Sequence, residues 1–218
     1  LNDTHPTVAI PELLRLLVEE AGMRFADAVQ VAHDTFAYTN HTIMPEALEK
    51  WDQKLFRGVL PRVYPYVKKL DALLRRTLEQ RGVPMGEVSR YAILEDGMVH
   101  MARMAIFATH STNGVARLHT EILKDTALHE WYELYPERFN NKTNGVTQRR
   151  WLALANPELA ALLHDAVGDG WLTDLSQLKR LEPCADDPAF LARFMDVKRE
   201  KKRQLAAYVE KHEGVRLR

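Results

Sequence analysis

The sequence contains one cysteine, Cys184, among 218 residues, and all of its apolar runs are short. A single thiol excludes a disulfide within the chain and suits a reducing compartment, so we expect a cytoplasmic protein. No run approaches the roughly 20 apolar residues that a membrane-spanning helix needs. These absences argue against a disulfide scaffold and against a membrane protein.

Excess charge is also absent, because 30 basic and 30 acidic residues cancel. Such a chain creates no broad field toward nucleic acid or anionic lipid, and we expect neither as a partner. Residues 193–218 are locally basic, with nine Lys or Arg against four Asp or Glu. A nucleic-acid-binding helix has this bias, but so does a solvated helix face, and the apolar stripe of the segment favours the solvated face.

Short motifs with a strong mechanistic signal are missing. The sequence has no GxGxxG, P-loop, HExxH, CxxC or GxSxG pattern. Its nine histidines show no ligand spacing with a cysteine, so we expect no zinc site. Chemistry therefore has to be sought in less specific patterns.

Hydrophobic periodicity indicates a mainly α-helical chain, with few alternating runs typical of strands. Pro65 lies inside one predicted helix, and we expect a kink there. The apolar stretch 97–110 is a buried element whose type, helix or strand, the periodicity does not decide. The predicted helices cover residues 10–20, 25–38, 46–51, 61–81, 115–123, 156–167, 174–181 and 186–212.

Four polar loops interrupt the helical pattern, and each combines asparagine with threonine. They are LNDTHP (1–6), YTNHT (38–42), HSTNG (110–114) and NNKTNG (140–145). Amide, hydroxyl and neutral imidazole groups both donate and accept hydrogen bonds, as recognition of sugar hydroxyls requires. The same residues also make ordinary turns between helices. Three N-x-T triplets in these loops, at Asn2, Asn40 and Asn141, would be glycan acceptors in a secreted protein.

Longer strings carry a more specific signal. In order along the chain they are LNDTHP, AIPEL, FAYTNHT, PEALEKW, HSTNGVARLH and NKTNGVTQRRWL. Together they closely resemble the α-glucan phosphorylases, the family of glycogen, starch and maltodextrin phosphorylases. The resemblance covers essentially the whole chain and is strongest over residues 1–52 and 98–160.

The resemblance implies a fold and a place within it. Members of the family have two Rossmann-like halves, the glycosyltransferase B architecture, and are commonly cytoplasmic homodimers. This chain would be a mainly helical central fragment of that α/β parent. Residues 1–144 would be the later part of the N-terminal domain, and residues 145–218 the start of the C-terminal domain.

The resemblance also implies an activity. The family cleaves terminal α-1,4 glucose units from glucan with inorganic phosphate and releases glucose 1-phosphate. Pyridoxal phosphate is bound to a lysine of the C-terminal half, and its phosphate group takes part in proton transfer. That lysine and the basic stretch that binds phosphate would lie beyond Arg218. We therefore expect no catalytic residue in these 218 residues and no activity from them alone.

Individual residues match the family's glucose site. His41 in TNHT and Asn144 in NKTNG match residues that contact the glucose, and Val115 matches an apolar contact near it. The resemblance implies that a pocket beside this subsite is lined by Asp3, His5, Thr42 and Glu49.

Trp151 matches a tryptophan close to the cofactor. Gln148 departs from the family, because many members have proline there, and we expect this change to be mild. A stand-alone helical binding or scaffold module derived from the family is an alternative. The length of the natural polypeptide would distinguish the two interpretations.

Overall fold

The computed structural model describes residues 1–44 and 48–217. The chain divides into two compact units, Leu1–Asn144 and Gly145–Arg218. Helices dominate both units, and two three-stranded sheets lie in the first. The predicted mainly helical character of the segment is confirmed. Its place in a larger two-domain protein stays a prediction.

The first unit alternates helices with very short strands. Its helices are α1 (Ala9–Arg15), α2 (Phe25–Thr35), α3 (Gln53–Val59), α4 (Tyr64–Gln80), α5 (Val88–Tyr91), α6 (Met101–Ala108), α7 (Arg117–Ile122) and α8 (His129–Leu134). Its strands are β1 (Tyr38–Thr39), β2 (Lys50–Asp52), β3 (Leu94–Glu95), β4 (Met98–His100), β5 (Thr112–Gly114) and β6 (Phe139–Asn141). π-Helical turns extend α1 and α7 at their C-terminal ends.

Helix α4 supplies much of the core of the first unit. Leu70, Leu74 and Leu78 recur every four residues on one face and are fully buried. Burying side chains of this size contributes roughly 1.5–3 kcal/mol each. The predicted kink at Pro65 is wrong, because α4 begins at Tyr64. The proline thus lies in the first turn, where no backbone N–H is needed.

The strands β1, β5 and β6 form a parallel sheet with β5 in the centre. Asn2 adds one parallel bridge to Thr39 on the outer side of β1. Helix α2 ends at Thr35, so the prediction of helix as far as residue 38 is wrong. Tyr38 instead belongs to β1 and is fully buried.

The second sheet is antiparallel, in the order β2, β4, β3. Asp96 and Gly97 join β3 to β4 with positive φ angles of 49° and 72°, as a two-residue hairpin turn requires. The stretch 97–110 therefore contains both candidate types, the strand β4 followed by the helix α6. The helix predicted over 46–51 is wrong at Lys50 and Trp51, which lie in β2; residues 45–47 are outside the described part.

The second unit contains α9 (Pro157–Val167) and α10 (Pro188–Glu213), close to their predicted bounds. Asn156 caps α9 by accepting from the Leu159 N–H at 3.1 Å, and Asp187 caps α10 in the same way. The stretch predicted as a helix over 174–181 is 3₁₀-helical, from Leu175 to Asp186. A small core forms around Leu163, Val167 and Trp171.

Helix α10 packs on α9 through ion pairs on its basic face. Lys201 contacts Glu158 at 2.5 Å, and Arg193 contacts Asp165 at 2.6 Å. The Lys201 ammonium holds the pKa of the Glu158 carboxyl at about 2. Pairing of these cations within the unit favours the solvated-face interpretation of residues 193–218.

Gln148 has a structural role that the sequence did not suggest. Its side chain is 9% exposed, and its amide nitrogen donates to the carbonyls of Trp171 at 3.2 Å and Leu172 at 3.1 Å. Its φ of −62° would also suit proline. A proline here would keep the backbone but lose both contacts.

We expect Gln148→Leu to destabilise the second unit by about 1–2 kcal/mol, because two inward-facing carbonyls lose their donor. Hydrogen–deuterium exchange of the peptide containing buried Trp171, followed over increasing denaturant, measures this loss. Thr147→Val, at an exposed neighbouring position, is the control and should leave the midpoint unchanged. Equal midpoints for the two variants would contradict the assigned role of Gln148.

Folding stability should also depend on pH through His100, which is 8% exposed. Burial, reinforced by Arg103 and Lys50, lowers its pKa from 6.5 to about 4. The unfolded chain gains a proton near pH 6.5, whereas the folded chain gains it only near pH 4. Stability is therefore full above pH 6.5, falls as the pH drops toward 4, and then levels off.

The loss of unfolding free energy should be on the order of 2 kcal/mol. His100→Met removes the titrating group, so urea unfolding between pH 7 and pH 4 should then vary less with pH than in the unchanged chain. An identical pH dependence in both proteins would show that His100 is not responsible.

Candidate functional site

The parallel sheet brings the four polar loops to one edge. Its register pairs Asn2 with Thr39, Thr39 with Asn113, and Asn113 with Asn140. The string 110–114, expected to be a loop, is largely the strand β5 itself (Thr112–Gly114). Because the paired segments run in the same direction, the residues that follow Asn2, Thr39, Gly114 and Asn141 all leave the sheet at the carboxyl ends of the strands. Ligands of open α/β sheets bind at this edge. Sequence positions far apart in the chain thus form one polar surface.

The first two loops contact each other through side chains. The Nε2 atom of His41 lies 3.1 Å from Oδ1 of Asn2, and both residues are exposed. Asp3 has a left-handed φ of 57°, and its N–H donates to the Thr39 carbonyl at 2.8 Å. Its carboxylate accepts from the N–H of Thr4 at 2.9 Å. These bonds fix the direction in which the first loop leaves the sheet.

Glu49 is tied to the first loop as well. The buried hydroxyl of Thr4 donates to Oε2 of Glu49, and the Glu49 carbonyl accepts from the N–H of Met101 at 3.1 Å. Glu49 also lines a cavity of about 320 Å³ whose apolar wall includes Ile106 and Trp131. The segment before β2 thus reaches the same side of the unit as the first loop.

Other amides of the loops are buried and hold the backbone. Asn40 is fully buried, donates to the Tyr38 hydroxyl at 3.0 Å and accepts from the Thr42 N–H at 2.9 Å. Burial raises the pKa of Tyr38, so its hydroxyl stays protonated. Asn113 accepts from the Thr39 hydroxyl at 2.8 Å across the sheet. These buried amides therefore serve the formation of the turns themselves.

The burial of Asn40 bears on the glycan triplets. Its amide has no exposed surface in the folded chain, so it cannot accept a glycan there. Asn2 and Asn141 are exposed. The three triplets thus lie in unlike environments, although one motif describes them all.

The end of β5 and the residue after it are joined to the fourth loop by backbone hydrogen bonds. The carbonyl of Val115 accepts from the Asn144 N–H at 2.9 Å, and the carbonyl of Gly114 accepts from the Lys142 N–H at 3.1 Å. Val115 is half-buried, whereas the side chain of Asn144 is exposed at the edge. The structure therefore places these two predicted sugar contacts side by side.

The remaining predicted residues lie as follows. His5 is exposed in the first loop, and Thr42 is half-buried in the second, where its hydroxyl accepts from the Met44 N–H at 3.1 Å. Trp151 is in the second unit, on a π-helical segment, and its side chain is 67% exposed. An exposed indole can pack against a cofactor ring. The roles assigned to all these residues stay predictions.

Sequence reasoning overlooked His119, whose Nδ1 accepts from the Val115 N–H at 3.0 Å. The sequence also suggested no individual role for Asn113. A signal for His119 was available, because it stands four residues after Val115 in the string HSTNGVARLH. That spacing brings a side chain in the first turn of a helix back toward the preceding loop.

Residues 1–44 and 48–217 contain no group of three His, Cys, Asp or Glu side chains arranged to hold a metal ion. Within the same residues, no helix combines the length and the apolar character needed to cross a bilayer.

Comparison with known proteins identifies the family. The sequence profile of the carbohydrate phosphorylases matches residues 1–218. The chain is 44% identical to a glycogen phosphorylase of Bacillus subtilis over 94% of its length, and 43% identical to one of Synechocystis over 96%. It is 42% identical to the brain form of the bovine enzyme over its whole length. The chain belongs to the carbohydrate phosphorylase family, which confirms the resemblance seen in its motifs.

These relatives are much longer than the chain. The aligned part makes up 26% of the Bacillus and bovine proteins and 25% of the Synechocystis protein. The chain thus spans about a quarter of the length of the relatives it matches.

Close packing behind the edge gives a test of the geometry. A Cβ on Gly114 would lie 2.4 Å from Thr120 Oγ1 and 2.9 Å from Thr120 Cα. Because the second atom belongs to the backbone of α7, the helix itself would have to move. We expect Gly114→Ala to cost about 1–3 kcal/mol of folding stability.

Gly58→Ala is the matched control, because a Cβ there meets open space within α3. Thermal unfolding of both variants measures the difference. A Gly114→Ala variant as stable as Gly58→Ala would show that α7 does not pack against β5 as described.

Proposed function

We propose that the chain is the central, catalytically incomplete segment of an α-1,4-glucan phosphorylase. The complete enzyme would have the two Rossmann-like halves of the glycosyltransferase B architecture. It would use inorganic phosphate to release glucose 1-phosphate from the terminal α-1,4 glucose of a glucan. The observation that carries this proposal is that the chain segments ending in all four family strings, with Val115 after the third, meet at one sheet edge. The match to glycogen phosphorylases over the whole chain supports it.

The groups at this edge suit a neutral polyol. Each sugar hydroxyl both donates and accepts, and amide and neutral imidazole groups can satisfy it without an unpaired charge. In the proposal, His41 and Asn144 hydrogen-bond the glucose and fix its orientation, and Val115 packs against its ring. Orientation of this kind lowers the barrier because the reacting atoms are already aligned.

The polar residues beside this pair would form the wall of an adjoining pocket. Asp3 and Thr42 are half-buried, and Glu49 is held by the Thr4 hydroxyl. Groups with restricted motion lose little entropy when a ligand binds. Asp3, Thr42 and Glu49, together with His5, would therefore influence which glucosyl substituents fit.

Trp151 would contact pyridoxal phosphate in the complete enzyme. When bound, the cofactor would supply a phosphate group that exchanges a proton with the substrate phosphate. The residues described here would orient the sugar and cover part of the cofactor cavity. We propose that the lysine that carries the cofactor lies outside this segment, as do the residues that bind phosphate. The 218 residues alone should therefore not turn over glucan.

The role of Asn144 is testable in the full-length phosphorylase that carries this segment. Asn144→Ala removes an exposed amide but no buried contact, so folding should be preserved. We expect kcat/KM for glucan phosphorolysis to fall at least fivefold, since one hydrogen bond is worth roughly 1 kcal/mol or more.

Gln80→Ala, which removes an exposed amide at the end of α4, should leave kcat/KM unchanged. If Asn144→Ala kept kcat/KM within about twofold of the unchanged enzyme, the residue would not contact the reacting glucose. Absence of phosphorolysis in the unchanged full-length protein would overturn the proposed function itself.

A further inference from the structure

The imidazole of His119 lies directly behind the predicted sugar contacts. Its Nδ1 accepts from the N–H of Val115 at 3.0 Å, and the carbonyl of Val115 accepts from the N–H of Asn144 at 2.9 Å. A single residue, Val115, is therefore held at its N–H by His119 and at its carbonyl by the fourth loop. Two residues predicted to touch glucose depend on this arrangement.

We propose that His119 is a positioning residue that orients Val115 and Asn144 for glucose binding. This inference rests on the proposed function. His119 does not reach the exposed edge in this arrangement, because its Nε2 is shielded from solvent. It acts on the sugar only through the backbone that it holds.

The choice of a histidine at this position supports the inference. Its Nδ1 accepts a hydrogen bond, so in the neutral ring Nε2 carries the proton. Among the described residues, that buried Nε2 has no hydrogen-bond partner. A buried N–H without a partner costs free energy, so packing alone would favour an apolar side chain of similar size. The imidazole accepts a hydrogen bond from the Val115 N–H, which an apolar side chain cannot do.

The position of the ring is tightly constrained. A Cβ on Gly114 would lie 3.0 Å from the His119 Nδ1, and closer still to Thr120. The first turn of α7 thus packs directly against the end of β5. The imidazole has little room to follow Val115 if that residue moves, so it acts as a fixed reference point for the loop.

Loss of the His119 Nδ1 acceptor should change the orientation of the Val115 peptide and of Asn144. Without Nδ1, the Val115 N–H has no partner in this buried region, and the peptide can rotate to find one. Rotation moves the carbonyl that accepts from Asn144 and, with it, the amide predicted to bind glucose. Sites of this kind need positions held within about 0.5 Å.

Three substitutions of His119 in the full-length phosphorylase distinguish the effect of losing the hydrogen-bond acceptor from the effect of changing the packing. His119→Leu removes the acceptor and keeps much of the volume. His119→Asn places an amide oxygen close to where Nδ1 was, whereas His119→Gln places it one bond farther away. His129→Leu, on the exposed face of α8, is the control for loss of a histidine elsewhere in the unit.

We expect kcat/KM for glucan to fall about tenfold in His119→Leu and His119→Gln, and His119→Asn to restore it to within about threefold. KM for inorganic phosphate should stay within twofold, because phosphate is bound elsewhere. Hydrogen–deuterium exchange of the peptide containing Val115 should be slow in the unchanged enzyme and in His119→Asn, and fast in His119→Gln. This comparison holds even if His119→Leu fails to fold.

Two results would overturn the inference: equal kcat/KM for His119→Asn and His119→Gln, or equally slow exchange of Val115 in both. Suppose that the unchanged enzyme is active and that Asn144→Ala lowers kcat/KM, but that the His119 variants do not. The proposed role of His119 is then wrong, and the proposed function stands. If the unchanged enzyme shows no phosphorolysis, the proposed function fails first.

Discussion

The candidate site depends on the register of one small parallel sheet. Strand β5 lies between β1 and β6, and Asn2 adds a fourth parallel segment beside β1. Because parallel segments end at the same edge, this order gathers the four stretches of chain that follow Asn2, Thr39, Gly114 and Asn141. A slip of one residue would turn the side chains of a strand to the opposite face. Cross-strand contacts such as the partly buried hydrogen bond from the Thr39 hydroxyl to Asn113, at 2.8 Å, oppose such a slip.

The polar residues of the loops divide into two groups by burial. Asn40 and Asn113 are buried, and their side chains form hydrogen bonds with other groups of the protein, which stabilises the turns. His41 and Asn144 are exposed at the edge, where a ligand can reach their side chains. The ordinary interpretation of these loops as turns and the interpretation as a sugar site are therefore compatible. The hydrogen bonds of the buried amides hold the backbone of the turns that carry the exposed groups.

The accuracy of sequence prediction followed the length of each element. Helices α9 and α10 were predicted well, since each has a sustained apolar face and a capping residue, Asn156 or Asp187. The strands have two or three residues each, too few to show an alternating pattern, so the helical periodicity wrongly extends α2 to residue 38, which lies in β1. The kink predicted at Pro65 is wrong because the effect of a proline depends on where its helix begins, and α4 begins at Tyr64.

The sequence by itself determined the family and the identity of the polar loops, because long strings in a fixed order are specific. It also determined the lack of net charge and of disulfides, which follow from composition. Only the tertiary structure decided which loops are neighbours, since Thr39 and Asn113 meet across a separation of 74 residues. It alone shows that His119 accepts a hydrogen bond from the Val115 N–H and that Gln148 donates one to a backbone carbonyl far away along the chain. Such contacts depend on distances in space that chain order does not contain.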